Sequence, residues 1–435
     1  MKVFTGFSKM NRGLKLDFVT GNSELKGTDT GHFFDYDAPD AGSQQIFDGM
    51  IENYLGNFPI PMGVVPNMLV NGELFLVPFV TEESSVVAAA SKAAKYWAHR
   101  GGFEAGVVSS SRKGQVHFSW NGPGEQLFAR FPEIRKQLLL STAELTFRMR
   151  RRGGGITTID LLDKTSVMPF YYQLDVTFET ADAMGANFIN SCLEKIAEKL
   201  SGPDLPGNDE HRVEIIMAIL SNYSPGSIVR CRAECPAKLL TGWNKATPDE
   251  NFAERFKQAT EIARLDVPRA VTHNKGIFNG VDAVLLATGN DWRAAEAAGH
   301  AYAARSGKYT GLTTVSLEND HFIHEIELPL AVGTVGGITN IHPVVKTVHK
   351  ILNNPDARKL AMIVAAAGLA SNFAAIASLV TTGIQQGHMK MHLTNIFNQL
   401  NATASERELA TSHFSGKKIE HFAVEDFILQ IRSKQ

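Results

Sequence analysis

From Leu360 to Gly387 the chain carries no charged side chain, and this run constrains the fold more than any other feature. Its heart, AMIVAAAGLASNFAAIASLV, is as long as a membrane span. It is nevertheless built from Ala, Gly and Ser and contains Asn372, so it is only moderately apolar. Small side chains let neighbouring backbones approach closely. That predicts a helix packed at the centre of a folded domain rather than in lipid. At 435 residues, 44% hydrophobic and 20% charged, the chain is large enough to bury such a helix.

The 43 basic and 45 acidic residues leave a formal net charge of −2, which gives no global field for nucleic acid or an anionic membrane. Met1-Lys2-Val3-Phe4 runs into polar sequence without a signal-peptide core, so a soluble, cytoplasmic protein is expected. Cys192, Cys231 and Cys235 are few and odd in number. The C-x3-C pair has no second ligand pair, so buried reduced thiols are expected and no resident metal.

Along the chain, Asn71-Gly72 between the runs MLV and LFLVPFV predicts a hairpin. The Ala-rich stretch Ser84 to Arg100 predicts a helix begun by a capping Ser. Between Gly106 and Tyr223 the texture changes. VVSSSRKGQVHFSWNG reads as strand, turn and strand, and FPEIRKQLLLSTAELTFRMRRR as an amphipathic helix. Beyond Gly153-Gly154-Gly155 lie the strand-like TTIDLLD and FYYQLDVTFET, then a helix from about Asp182. This order predicts a small α+β unit nested within a larger one. Helices follow at Asp291 to Ser306, Pro343 to Leu352 and Asp356 to Thr382, before a polar tail. No G-x-G-x-x-G follows a strand, and GTVGG (Gly333 to Gly337) stands isolated, so a Rossmann domain is not supported.

Four polar segments carry candidate chemistry. Glu82-Glu83-Ser84-Ser85 sits where a strand meets a helix, and fits a plain N-terminal cap as well as a site. Arg269 to Gly280 (RAVTHNKGIFNG) reads as a polar loop leading into an apolar strand, VDAVLLATG, and a site explains its polarity better than solvent does. Thr288-Gly289-Asn290-Asp291 places Asp291 at a helix start, where capping is the simpler reading. In GHMKMH, His388 and His392 are four apart, but Met389 stands where a zinc hydrolase motif needs Glu. A general acid suits a His beside a flexible glycine better.

In order, spacing and wording these segments resemble the bacterial-type (class II) 3-hydroxy-3-methylglutaryl-CoA (HMG-CoA) reductases. The matching strings are ENYLGNFPIPMGVVPN, TEESSVVAAASKAAK, DAMGANFIN, RAVTHNKGIFNG, ATGNDWRAAEAAGHAYAARSG and GHMKMH. The resemblance implies an α+β fold with a large, mostly helical substrate-binding domain over 1–108 and 222–380. It adds an inserted, non-Rossmann dinucleotide-binding domain over 109–221 and a C-terminal flap over 381–435. It implies a four-electron reduction of (S)-HMG-CoA to (R)-mevalonate and CoA, through mevaldyl-CoA and mevaldehyde, with two NAD(P)H. The same site can run as mevalonate oxidation, and the sequence leaves the direction open.

Carried over by motif position, Lys275 stabilises the carbonyl oxygen as it gains charge, and Glu83 supplies a proton to it. Asp291 joins both in one network, and His388 protonates the departing thiolate. Ser85, Arg269, Asn279 and Asn372 hold the HMG moiety, although Ser371 stands where Gln is expected. Asp182, Met184, Gly185, Asn187 and Asn222 bind the cofactor. A homodimer with its active site at the subunit interface is implied, with larger assemblies left open. Arg150, Arg151 and Arg152 end a helix without a carboxylate after Glu144, which predicts NADPH over NADH, since arginines attract a 2′-phosphate. A solvated basic helix end is the simpler alternative. A zinc hydrolase on His388, His392 and Asp291, or a non-catalytic CoA-ester binder, are the competing classes.

Overall fold

The structure is a computed structural model describing residues 5–21, 31–202, 211–241, 243, 251–381, 383, 393–394, 396–414 and 419–433. Helices α1 (Arg12–Thr20) and α2 (Ala41–Asp48) precede the hairpin β1 (Met62–Val70) and β2 (Glu73–Val80), which turns at Asn71-Gly72 as expected. Helix α3 (Val86–Ala98) follows. Ser85 stands at its N-cap with φ 77° and does not cap it through its side chain, so the expected Ser cap is not what starts this helix. Strand β3 (Glu104–Val107) leads to β4 (Arg112–Trp120), α4 (Gly124–Ser141), α5 (Ala143–Arg150), β5 (Gly155–Asp163), β6 (Tyr171–Glu179), α6 (Ala186–Leu200) and β7 (Val213–Leu220). The chain continues through β8 (Ile228–Pro236), α7 (Phe252–Leu265), α8 (Val267–Ala287), α9 (Trp292–Ala303), β9 (Thr313–Glu318) and β10 (His321–Pro329). Helices α10 (Pro343–Ile351), α11 (Ala357–Leu379), α12 (Ala404–His413) and α13 (His421–Arg432) complete the described elements.

The strands form three sheets, β1-β2, β3-β8-β10-β9 and β5-β6-β4-β7, and every pair is antiparallel. This is an α+β arrangement without a parallel dinucleotide-binding sheet. The expected strand, turn and strand are β3 and β4, which lie in different sheets. The expected helix before the triple glycine is two helices that meet at Thr142, the first with Pro132 inside it.

Three hydrophobic cores result. One gathers β1, β2 and α3 with β8, β10, α7, α8 and α11. A second lies between β4, β5, β6 and the apolar faces of α4 and α6. A third joins Leu393 and Phe397 to α12 and α13. The uncharged helix α11 lies in the first core, begun by Asp356, whose carboxylate accepts from Lys359 N at 2.7 Å. It is long and apolar enough to cross a membrane, yet 89% of its apolar window is buried inside the protein. Helix α8 crosses it closely: a Cβ on Gly280 would lie 2.3 Å from the Ala367 carbonyl. The small residues are there for that approach.

The polar segment Arg269 to Gly280 and the apolar run after it were expected as loop and strand, and both belong to α8. Asp266 starts the helix by accepting from Arg269 N at 2.9 Å, with Pro268 in the first turn. His273, Asn274, Ile277, Phe278 and Val281 face the core at helical spacing, and beyond Val281 the helix is buried nearly all round. A short apolar run of that kind carries no strand period to read.

Candidate active site

Lys275 points outward from α8, and its ammonium donates to Glu83 Oε2 in the loop between β2 and α3. The two side chains are 57% and 42% exposed, so the pair adds little to stability. Glu83 N donates to Thr81 Oγ1 at 3.2 Å, and the left-handed backbone of Ser85 ends this tight loop. A non-glycine residue held at positive φ marks a backbone shaped for a purpose other than regular structure. Asn279 lies one helical turn beyond Lys275, on the same face, with no hydrogen bond to its carboxamide. An exposed ammonium beside a carboxyl can bind an oxygen that gains charge and deliver a proton to it.

Arg269 is six residues before Lys275, roughly 9 Å along the helix and turned about 120° away by helical geometry. Its half-buried guanidinium has no hydrogen bond, and burial pulls its pKa down. Asn372 was expected at the substrate, but it is 1% exposed inside the large core. Its Oδ1 meets Thr313 Oγ1 at 3.3 Å and His324 Nε2 at 3.2 Å, and its Nδ2 donates to the His273 carbonyl at 3.3 Å. Both ends of the carboxamide are taken. Asn372 serves a buried polar network that also holds His273 Nε2 against Thr313 Oγ1 at 2.6 Å.

Asp291 caps α9, its Oδ1 accepting from Ala294 N at 3.1 Å with Arg293 Nε 3.5 Å away. It makes no hydrogen bond or ion pair to Lys275 or Glu83, so the expected three-residue network does not form within one chain. Helix α8 carries the chain about 18 Å from Lys275 to its end at Ala287, and Asp291 follows four residues later.

Ala294, whose N–H Asp291 caps, lines a cleft with Arg112, Met184, Ala186, Asn222 and Ala331. Met184 and Asn222 thus share one wall system with the start of α9. Gly185, at φ 85°, turns the chain into α6, and a Cβ there would strike Thr180 Cγ2 at 2.4 Å. Asp182 is engaged structurally, accepting from Ala357 N at 3.1 Å and holding this loop to the start of α11. Asn187 is exposed in the first turn of α6. The isolated GTVGG segment docks here too. Thr334 N donates to the Asp182 carbonyl at 2.9 Å, Gly333 N to Asn290 Oδ1 at 2.8 Å, and a Cβ on Gly333 would lie 2.4 Å from Met184 N. Sequence reading noted the segment but gave it no role; glycines that admit another backbone were the available signal.

Arg150, Arg151 and Arg152 are exposed at the end of α5, their side chains without hydrogen bond or ion pair among the described residues, just before the triple glycine. A Cβ on Gly154 would lie 2.5 Å from the Glu179 carbonyl, so the glycines press this helix end against the end of β6. His388 and His392 lie outside the described residues. Among the described residues no three His, Cys, Asp or Glu side chains gather as a metal site, and Cys192, Cys231 and Cys235 are free and buried.

The family model described as hydroxymethylglutaryl-coenzyme A reductase matches residues 18–393. The chain is 36% identical over 368 residues to a 3-hydroxy-3-methylglutaryl-coenzyme A reductase of Archaeoglobus fulgidus, covering 83% of this chain and 80% of that relative. It is 34% identical over 362 residues to a probable 3-hydroxy-3-methylglutaryl-coenzyme A reductase of Borreliella burgdorferi, covering 82% and 80%. Among solved structures, the class II reductase of Streptococcus pneumoniae bound to NADPH is similar, with a TM-score of 0.70, 36% identity, and coverage of 89% of this chain and 92% of that one.

Proposed function

This chain belongs to the hydroxymethylglutaryl-coenzyme A reductase family, and on that footing we propose that it reduces HMG-CoA to mevalonate and CoA with two equivalents of NADPH, in the mevalonate pathway. The Lys275–Glu83 pair carries the reading, because each reduction needs a cation and a proton source at one carbonyl oxygen. Incubating the protein with HMG-CoA and excess NADPH under anaerobic conditions tests it. Two NADPH consumed and one mevalonate formed per HMG-CoA is the expected result; no consumption removes the function.

The nicotinamide supplies hydride when bound; the protein does the rest. Lys275 binds the carbonyl oxygen and steadies the charge that develops there. Glu83 delivers the proton that makes the final alcohol. Ser85, Asn279 and Arg269 are the proposed holders of the HMG carboxylate and hydroxyl, the unbonded guanidinium of Arg269 being suited to a carboxylate. His388 is proposed to protonate the leaving CoA thiolate. Asp182, Met184, Gly185, Asn187 and Asn222 are proposed to frame the dinucleotide, with Arg150, Arg151 and Arg152 at its 2′-phosphate.

Asp291 makes no hydrogen bond or ion pair with Lys275 or Glu83 among the described residues, which supports a homodimer whose reaction centres combine Lys275 and Glu83 of one subunit with Asp291 and the cofactor cleft of the other. The hairpin β1–β2 offers an apolar outer face for such contact, with Met62, Val64, Leu74 and Leu76 between 41% and 58% exposed. The three separate cores support residues 1–108 with 222–380 as the substrate-binding unit, 109–221 as the dinucleotide-binding unit and 381–435 as a closing flap. A cytoplasmic location completes the reading.

A further inference from the structure

Strand β4 is central in its sheet, flanked by β6 and β7. Because both neighbours run antiparallel to it, the start of β4 lies beside the ends of both: Arg112 pairs with Phe178, and Gly114 with Leu220. Beyond those ends the chain forms the Asp182–Gly185 loop that opens into α6, and Asn222. Arg112 is thus the residue at which three chain segments of the cofactor cleft meet, and its side chain lines that cleft.

Its environment is unusual. Arg112 is 7% exposed, and Nε and Nη1 are fully buried with no hydrogen-bond partner. Among the described residues no ion pair compensates it. Glu179, whose charge acts on it, accepts from Ser110 Oγ at 3.0 Å instead, and burial pulls the guanidinium pKa down to about 10, against the pull of Glu179. It stays charged at neutral pH. A buried, unpaired guanidinium is costly, and among the described residues no other arginine has buried nitrogens in this state. The first turn of α6, from Ala186, opens on the same cleft and adds backbone N–H groups and a positive dipole end. Two donors of different kinds therefore converge on a space that holds no protein anion.

We infer that Arg112 is the ligand for the pyrophosphate of the reduced dinucleotide. The assignment rests on the reductase function proposed for the chain. Position selects the pyrophosphate over the 2′-phosphate. In the sheet order β5-β6-β4-β7 the exposed arginines at the end of α5 enter on the β5 side of β6, whereas Arg112 lies on its β4 side, in a cleft that it shares with Ala294 near the start of α9. The planar fork can give two parallel bonds to a bridging diphosphate.

The test is Arg112→Met, which keeps the length and removes the charge. Dissociation constants for NADPH and NADH, measured by nucleotide fluorescence without HMG-CoA, should both rise by a similar factor, roughly tenfold to a hundredfold for a lost charged hydrogen-bond pair. The melting temperature of the nucleotide-free variant should equal or exceed that of the wild type, while its rise on adding NADPH shrinks. Unchanged dissociation constants for both nucleotides overturn the assignment. So does a loss confined to NADPH, which would move Arg112 to the 2′-phosphate. If the methionine variant does not fold, Arg112→Lys, which keeps the charge but not the fork, carries the same comparison. A wild type that neither binds NADPH nor oxidises it with HMG-CoA is a different result, and removes the reductase function itself.

Discussion

Lys275 on α8 and Glu83 before α3 are 192 residues apart in sequence and joined in an exposed ion pair. Neither side chain is needed there for the fold: the core beneath is apolar, and surface pairs of this kind are worth little. Replacing Lys275 by Ala should leave the melting temperature within a degree or two but lower kcat by roughly a thousandfold or more, the scale of a lost oxyanion donor. Steady-state rates beside thermal melts check both halves. A melting temperature that collapses with activity would make the pair structural.

The exposed arginines at the end of α5 give a prediction about nucleotide choice. Changing Arg150, Arg151 and Arg152 together to Ser should lower kcat/KM for NADPH by roughly tenfold to a hundredfold, the scale of lost charged hydrogen bonds to a phosphate. The value for NADH should change little. Equal effects on both would assign the arginines to another task.

Two histidines buried in the large core make the fold acid-sensitive. Burial holds His273 and His324 down at about 3, well below the ordinary value, with Arg269 adding to the effect at His273. Between about pH 6.5 and pH 3 the unfolded chain binds protons that the folded chain refuses. Stability is therefore full above the unfolded pKa and falls with pH, by at most about 1.4 kcal/mol per pH unit for each histidine. Denaturant midpoints from pH 7 to pH 4 should follow that slope, and His324→Gln should reduce it. A variant with the same slope would place the acid sensitivity elsewhere.

Asp282 on α8 predicts the opposite sign. Burial and the facing Glu296 carboxylate push its pKa up to about 8. The folded protein keeps a proton that the unfolded chain has released, so this site costs stability increasingly as pH rises from about 4 towards 8. Asp282→Asn should raise the melting temperature at pH 8 and change it less at pH 5. A drop at pH 8 would show that the carboxylate is used.

Much of the molecule was legible from residues alone, for identifiable reasons. The uncharged run had to be a core helix because only a protein interior accepts so long a stretch of Ala, Gly and Ser with an Asn in it. The hairpin at Asn71-Gly72 followed from turn chemistry. Helix α8 was misread because its core-facing and outward residues are interrupted by Gly276 and Gly280; the close crossing with α11 is the reason for Gly280. The buried partners of Asn372 were not legible for a related reason: an Asn in an apolar helix suits a ligand and a buried network equally until His324 and Thr313 are seen beside it. Arg112 gave no signal at all, since its meaning comes from the ends of β6 and β7, more than sixty residues downstream in the chain. The separation of Asp291 from Lys275 was hidden in plain text. Lys275 lies within α8 and Asp291 beyond its end, and about 18 Å of helical rise separates Lys275 from that end.

That separation makes the subunit arrangement directly testable. Lys275→Ala and Asp291→Ala chains carrying different tags can be co-expressed and the mixed dimer purified. In a twofold dimer whose centres draw Lys275 from one chain and Asp291 from the other, the mixed dimer contains one centre with both residues intact, and about half the wild-type activity should return while each mutant homodimer stays inactive. A mixed dimer no more active than its parents would contradict the shared centre.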